Sequence, residues 1–386
     1  YKRIYLEKKG FLKESLKVMK FEVSSNKIFS FIGSNKEEIH PFWLRERVSE
    51  KEHLDESTQQ RLFDPSSMKQ SVEIVNAEIN GEFLKVKFND GVDSKFEIKK
   101  LSDELSLNSN QIIDIEKVKW KSDFKNIKSF KFSDKFADSN EMLNLLINFY
   151  KYGFVVIQDV PTNDNFLVKF GNMIGSVKRT NFGEHFNVKS KPNPNDLAYT
   201  ALNLSPHTDN PYRNPFPPCI QILHCIENDV KGGYSTLVDG FTVTEDLKKL
   251  NQDYYNILTS TKVRFKFSDK DTILESWAEL IHLDEKGNFQ NVRFSPRLDY
   301  VPQMKREKLE IYYNARKCLS DLYNSNEYRI EFKLMPGDLM MMDNHRLLHG
   351  RTSFDPNEGN RFLQGCYLDF DSTEGKLLHL RRKFNL

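Results

Sequence analysis

Cysteine is scarce. The 386 residues hold four, Cys219, Cys225, Cys318 and Cys366, and none lies in the first half. Such a set makes no disulfide framework, so buried free thiols and a reducing cytoplasm are expected. An excess of one charge is also missing: 57 basic residues face 55 acidic ones, which argues against a general nucleic-acid or membrane-surface role. No apolar stretch approaches the roughly 20 residues of a membrane span. The clearest short one, Phe154 to Ile157, reads as a buried strand. The start, Tyr1-Lys2-Arg3-Ile4-Tyr5, is charged, has no signal-peptide core and no initiator Met, as in a cytoplasmic chain short of a few residues. No repeat or low-complexity segment stands out. The length leaves room for one large domain and a smaller one.

What is present divides unevenly. Residues 1–115 read as a small β-rich N-terminal domain. Leu84-Lys85-Val86-Lys87-Phe88 alternates apolar and polar, Asn89-Asp90-Gly91 supplies turn chemistry, and Ser94 to Ile98 returns as a second strand. A polar connection is expected from about Leu101 to Asn126. Residues 116–386 form the larger domain. There Ser139 caps a helix with the stripe Met142, Leu143, Leu146 and Phe149, and Gly153 stops it. Another helix is predicted from near Lys305 to Tyr323. The rest is short strands broken by Gly, Pro and Asn, a mainly β pattern with helices that suits a jelly roll, or double-stranded β-helix.

The pair His207-x-Asp209, answered far downstream by His349, is the strongest chemical signal. Ligands at i and i+2 of an extended strand leave the same face, so His207 and Asp209 can grip one metal from one side. A third ligand must come from elsewhere in the fold. Two imidazoles and a carboxylate on one face leave open positions opposite, which suits Fe(II). His345, four residues before His349, would make a zinc pair with it on a helix. Met340-Met341-Met342 followed by Asp343-Asn344 reads instead as strand then turn, which favours a structural His345.

The surroundings sharpen this. They are Ala198-Tyr199-Thr200, Ser205-Pro206-His207-Thr208-Asp209-Asn210-Pro211-Tyr212-Arg213, the run Ile220 to Cys225, Gly232-Gly233-Tyr234-Ser235-Thr236, Asp343-Asn344-His345-Arg346-Leu347-Leu348-His349-Gly350-Arg351, and Arg361 ahead of Gly365-Cys366-Tyr367. In order and spacing the chain resembles the 2-oxoglutarate-dependent γ-butyrobetaine and trimethyllysine hydroxylases, relatives of taurine dioxygenase. The resemblance is densest from about Asn181 onward.

The resemblance implies Fe(II) held by His207, Asp209 and His349, with 2-oxoglutarate as cosubstrate. Arg361 would clamp its distal carboxylate, a planar fork being suited to bidentate pairing. Ser235 is the candidate hydroxyl partner, with Thr236 beside it, and Arg351 is the alternative cation. Phe182, Phe186, Tyr199 and Tyr367 fall on the aromatic positions that surround a trimethylammonium group, a cation recognised by π faces. Asp196 replaces an asparagine of the γ-butyrobetaine pattern and could meet an amino group; Ser295 stands near a second such position. The Asn210 to Arg213 run also resembles bacterial relatives that hydroxylate a trimethylaminoethyl phosphonate, where Arg213 or Arg297 would face an anion. Relatives usually carry Trp at His345. The animal enzymes' N-terminal zinc cysteines fall here on about Val48, Glu50 and His53, so no zinc is expected.

The expectation is an enzyme: a dioxygenase hydroxylating a C–H bond of a small quaternary-ammonium metabolite, with dioxygen, without nucleic-acid or membrane partners, and, by the resemblance, a homodimer. Two alternatives stand beside it. One is a taurine-dioxygenase-like hydroxylase of a sulfonate or phosphonate lacking the trimethylammonium group. The other is a catalytically silent jelly-roll binding protein.

Overall fold

The computed structural model describes residues 19–32, 35–106, 113–189 and 201–386. It divides into two compact units, Tyr1–Ile112 and Ile113–Leu386.

In the smaller unit two three-stranded antiparallel sheets enclose a core that includes Ile28, Leu44, Val48, Leu84, Val86 and Phe88. The hairpin expected from alternation is there: Phe83–Phe88 pairs with Asp93–Glu97, Leu84 opposite Phe96, and Gly91 supplies φ 88° at the turn. The expected connection needs correcting. Its first residues belong to a helix, Ile98–Ser106, which buries Leu101 and Ser102. Ile98, Leu101 and Leu105 recur at helical spacing, a stripe sparse enough to pass for polar linker. At the positions aligned with zinc cysteines, Val48 lies in the core, Glu50 accepts from Ser94 and the Lys95 amide, and His53 packs edge-on against Phe63.

The larger unit is a jelly roll. Ten strands matter: β1 (Ser129–Lys131), β2 (Phe154–Gln158), β3 (Phe186–Lys189), β4 (Leu204–His207), β5 (Ile220–Asn228), β6 (Ser235–Asp239), β7 (Arg329–Phe332), β8 (Leu339–Asp343), β9 (Leu347–Arg351) and β10 (Arg361–Leu368). One sheet runs β1-β2-β8-β5-β10-β3 and the other β4-β9-β6-β7. All pairings are antiparallel except β1 with β2.

Strand parity explains why these residues form two facing sheets. Phe154, Val156, Met340, Met342, Cys225 and Leu363 from the first sheet meet Leu237, Leu347 and Ile330 from the second in one cluster. Residues of the opposite parity, Val155, Ile157, Leu339, Met341, Cys366 and Leu368, point the other way, under Met142, Leu143, Leu146 and Phe149 of the helix Asn140–Tyr152 and under the C-terminal helix Phe370–Phe384. Val238 and Leu348 pack outward against the helices Gly240–Leu250, Gln252–Ser260 and Arg306–Asn324. The predicted Ser139 cap accepts from the Met142 amide at 3.2 Å, and Gly153 closes that helix at φ 84°.

One buried ion pair ties the larger unit together. Arg346, in the turn before β9, sends Nε and Nη2 to Asp239 Oδ1 and Oδ2 at 3.0 and 2.7 Å. Its remaining N–H groups reach the carbonyls of Lys151 and Val118. Asp239 also caps the helix that follows it by accepting from the Phe241 amide. Removing one partner of a fully buried pair typically costs about 3–5 kcal/mol, because the other charge is stranded. Arg346→Met is expected to lose that much unfolding free energy in urea denaturation; a loss below about 1 kcal/mol would show the pair to be dispensable.

Candidate metal centre and its surroundings

β4 and β9 lie side by side with His207 directly opposite His349. Their ring centroids are 4.4 Å apart. Alternation would put Asp209 on the strand with His207, but β4 ends at His207 and Asp209 lies just beyond it. Asp209 reaches the same side because Asn344 pins it. The Asp209 amide donates to Asn344 Oδ1 at 2.7 Å, and Asn344 Nδ2 donates to the carbonyls of Asp209 and Pro218 at 3.2 and 2.9 Å. Asn210 then turns the chain at φ 51°.

This brings Asp209 Oδ1 to 3.5 Å from His207 Nε2 and 3.6 Å from His349 Nε2. A donor atom from each of the three residues lies within 4.8 Å of the others, and they form the one such cluster found among the described residues. Three donors converging from one side within that span can close on a single dication. Burial pushes the His349 imidazole down to about 3, helped by neighbouring His207, which keeps a lone pair free at neutral pH. Burial alone would raise the Asp209 carboxyl, but His349 and His207 beside it and the Tyr367 hydroxyl hold it well below the usual range. A neutral imidazole and an ionised carboxylate are the forms a metal binds. His207 Nδ1 faces the Ser205 carbonyl at 2.9 Å, which fixes its ring. His345 points elsewhere: its Nε2 meets the Pro217 carbonyl at 3.0 Å and its ring stands edge-on to Phe370.

The facing sheet supplies the rest. Gln221 on β5 and Tyr367 on β10 are paired in register, and both donate to Asp209 Oδ2, at 2.5 and 2.6 Å. Burial and the Asp209 charge raise the Tyr367 hydroxyl well above its ordinary value, so it remains a donor. Phe186 lies 5.2 Å from the Tyr367 ring, in space that Gly365 leaves open: a Cβ there would fall 2.3 Å from the Phe186 ring. Phe182 stands in a neighbouring group, edge-on to Phe267, which stacks on Tyr212. Arg213 hydrogen-bonds Asn181 beside it and lies over the Tyr212 ring. Tyr199 and Asp196 lie outside the described residues.

Arg361 shares the inward parity of Leu363 and Tyr367 on β10. It is buried, Nη2 reaching the Gly233 carbonyl at 3.3 Å, and no carboxylate pairs with it among the described residues. Its Nε has no partner among them either. Gly233, at φ 71°, makes the fit possible, since a Cβ would lie 2.8 Å from that Nε. Arg351 lies close by; both guanidinium groups sit over the Phe354 ring, at 5.0 and 5.5 Å. Burial, and then the Arg351 charge, lower Arg361 to about 10, which leaves it cationic at neutral pH. A buried cation with a spare N–H calls for an anion. Ser235 lies opposite Arg351 and shares parity with inward Leu237, whereas Thr236 shares it with outward Val238.

Two residues carry no obvious signal in the sequence. Gln221 is a polar residue between Ile220 and Ile222 in a largely apolar strand, and that oddity is its only mark. Asn344 sits in a turn where asparagine is ordinary.

A jelly roll with two imidazoles and one carboxylate on its inner face is the architecture of a metal-dependent oxygenase. The model of the taurine catabolism dioxygenase TauD, TfdA family matches residues 119–367. A γ-butyrobetaine dioxygenase of Pseudomonas sp. (strain AK-1) is 30% identical over 349 residues, 89% of this chain and 91% of that protein. The human γ-butyrobetaine dioxygenase is 37% identical over 238 residues, 60% of this chain and 61% of its own. The mouse mitochondrial trimethyllysine dioxygenase is 26% identical over 347 residues, 85% and 79% of the two chains. The chain belongs to the TauD, TfdA dioxygenase family.

Proposed function

We propose that this enzyme hydroxylates a C–H bond of a small quaternary-ammonium metabolite, using Fe(II), 2-oxoglutarate and dioxygen. The observation that carries the reading is the placement of Tyr367, whose hydroxyl touches the metal carboxylate while its ring meets Phe186. Aromatic faces beside a metal site suit a cation without N–H groups, and π contacts of that kind recognise trimethylammonium compounds. The relatives named for γ-butyrobetaine and trimethyllysine support the same class of substrate.

In this reading His207, Asp209 and His349 hold iron. Arg361, with Ser235, holds the distal carboxylate of 2-oxoglutarate. When bound, iron and 2-oxoglutarate supply the dioxygen chemistry that consumes the cosubstrate to succinate and carbon dioxide. The chain positions the target carbon and excludes water. Phe182, Phe186, Tyr199 and Tyr367 surround the trimethylammonium group, and Asp196 and Arg213 bear on the other end. γ-Butyrobetaine-, trimethyllysine- and trimethylaminoethylphosphonate-like compounds all fit that description. A homodimer, a cytoplasmic location and an N-terminal domain without zinc complete the proposal. No helix among the described residues is long and apolar enough to cross a membrane.

The test compares γ-butyrobetaine with its neutral tert-butyl isostere, reading succinate and hydroxylated product. A desolvated cation–π contact is worth on the order of 1–2 kcal/mol, so the cation should be preferred by about tenfold or more. Equal turnover would reduce the box to ordinary apolar lining and favour the taurine-like alternative.

A further inference from the structure

We propose that Gln221 and Tyr367 are positioning residues that hold Asp209 as a one-oxygen metal ligand, and that Tyr367 makes this hold respond to the occupant of the aromatic pocket. The inference rests on the functional reading above.

A carboxylate can grip a metal with one oxygen or two. Two-oxygen binding would occupy a position that cosubstrate or dioxygen requires. Here Oδ2 accepts from Gln221 Nε2 at 2.5 Å and from the Tyr367 hydroxyl at 2.6 Å, and Oδ1 alone faces the two imidazoles. Hydrogen bonds to an ionised acceptor are roughly twice as strong as neutral ones, so tilting Oδ2 toward the metal would break two strong contacts. The donors cannot easily follow, since they stand opposite each other on adjacent strands of one sheet. Both are buried, at 2% and 4% exposure. Gln221 Oε1 has no partner among the described residues. The amide is thus oriented by its contact with the carboxylate.

Tyr367 adds a link that Gln221 lacks. Its ring is a wall beside Phe186, which lies directly over Gly365. In the reading above a bound quaternary ammonium contacts this ring, and the same ring carries the hydroxyl that donates to Asp209. Pocket occupancy is thereby transmitted to the metal through one side chain.

Three variants separate the parts. Tyr367→Phe keeps the wall and removes the hydroxyl, Gln221→Leu removes the other donor, and Gln221→Glu sets a like charge against Asp209. Fe(II) affinity is read by anaerobic equilibrium dialysis. The visible charge-transfer band of the iron–2-oxoglutarate complex is read with and without γ-butyrobetaine. Tyr367→Phe and Gln221→Leu are each expected to weaken Fe(II) binding about 10–100-fold, the range for residues that orient a metal ligand. Gln221→Glu should be weaker than Gln221→Leu. The γ-butyrobetaine-induced shift of the band should survive in Gln221→Leu and vanish in Tyr367→Phe. Because Tyr367→Phe deletes a single atom, it decides the matter even if a Gln221 variant fails to fold. Fe(II) affinity within twofold of wild type together with an intact band shift in Tyr367→Phe overturns the inference alone. A folded wild-type protein that takes up no Fe(II) overturns the functional reading as well.

Discussion

Replacing His349 by alanine is expected to abolish both metal retention and substrate-coupled succinate formation, whereas His345→Ala should keep both. The two histidines are four residues apart, but the chain separates their roles. The turn Asn344–Arg346 ends before β9 begins, and only His349 lies on the strand opposite His207. Removing its imidazole leaves two donors where the metal needs a three-point grip, and the remaining carboxylate is not free to shift because Gln221 and Tyr367 hold its other oxygen. His345 donates to or accepts from nothing in the cluster. Its loss frees one buried carbonyl, that of Pro217, at a cost of about 1–3 kcal/mol in stability. Iron content after anaerobic reconstitution and dialysis, with succinate release, reads both outcomes. Metal lost in His345→Ala and kept in His349→Ala would show the third ligand to be misassigned.

Arg361→Ala should raise the 2-oxoglutarate requirement about thirtyfold or more while leaving iron binding nearly intact. Truncating one member of a hydrogen-bonded, buried charge pair costs roughly 2–5 kcal/mol, and each 1.4 kcal/mol is tenfold. Arg361 enters from β10, on the sheet facing His207 and His349, so its loss does not touch the metal ligands directly. Arg361→Lys should recover only part of the effect, since an ammonium lacks the planar fork. The KM for 2-oxoglutarate at fixed iron decides it, and an unchanged value would move the anchoring role to Arg351.

Much of this was legible in the residues because strands write their faces into alternation. Parity alone separates Met340 and Met342 from Leu339 and Met341, and Arg361 and Tyr367 from Cys366 and Leu368, although which set faces inward is settled only by packing. The distant pairing of His207 with His349 came from residue type and from resemblance, since spacing alone cannot say which histidine returns to the site. Asp209 was placed for a partly mistaken reason. It leaves the strand and is held by Asn344, a contact across 135 positions that no local pattern encodes. Gln221 and the Arg346–Asp239 pair escaped for the same cause. Each is meaningful only once its partner's position is fixed. The helix Ile98–Ser106 was hidden differently, by a stripe too thin to stand out from its lysines and acids.

The alternation along β10 also limits how this enzyme can change over time. Core packing and chemistry are written on one strand in opposite parities: Leu363 faces the interior with Arg361 and Tyr367, while Cys366 and Leu368 seal the helical side. A single-residue insertion or deletion between Arg361 and Tyr367 exchanges the two faces beyond that point. Either Arg361 or Tyr367 would then turn away from the cavity, and apolar side chains would lose their helical cover. Substitutions within β10 keep the two faces in place, whereas an added or lost residue is absorbed more cheaply at an exposed turn such as Asp284–Gly287, where the backbone closes on itself.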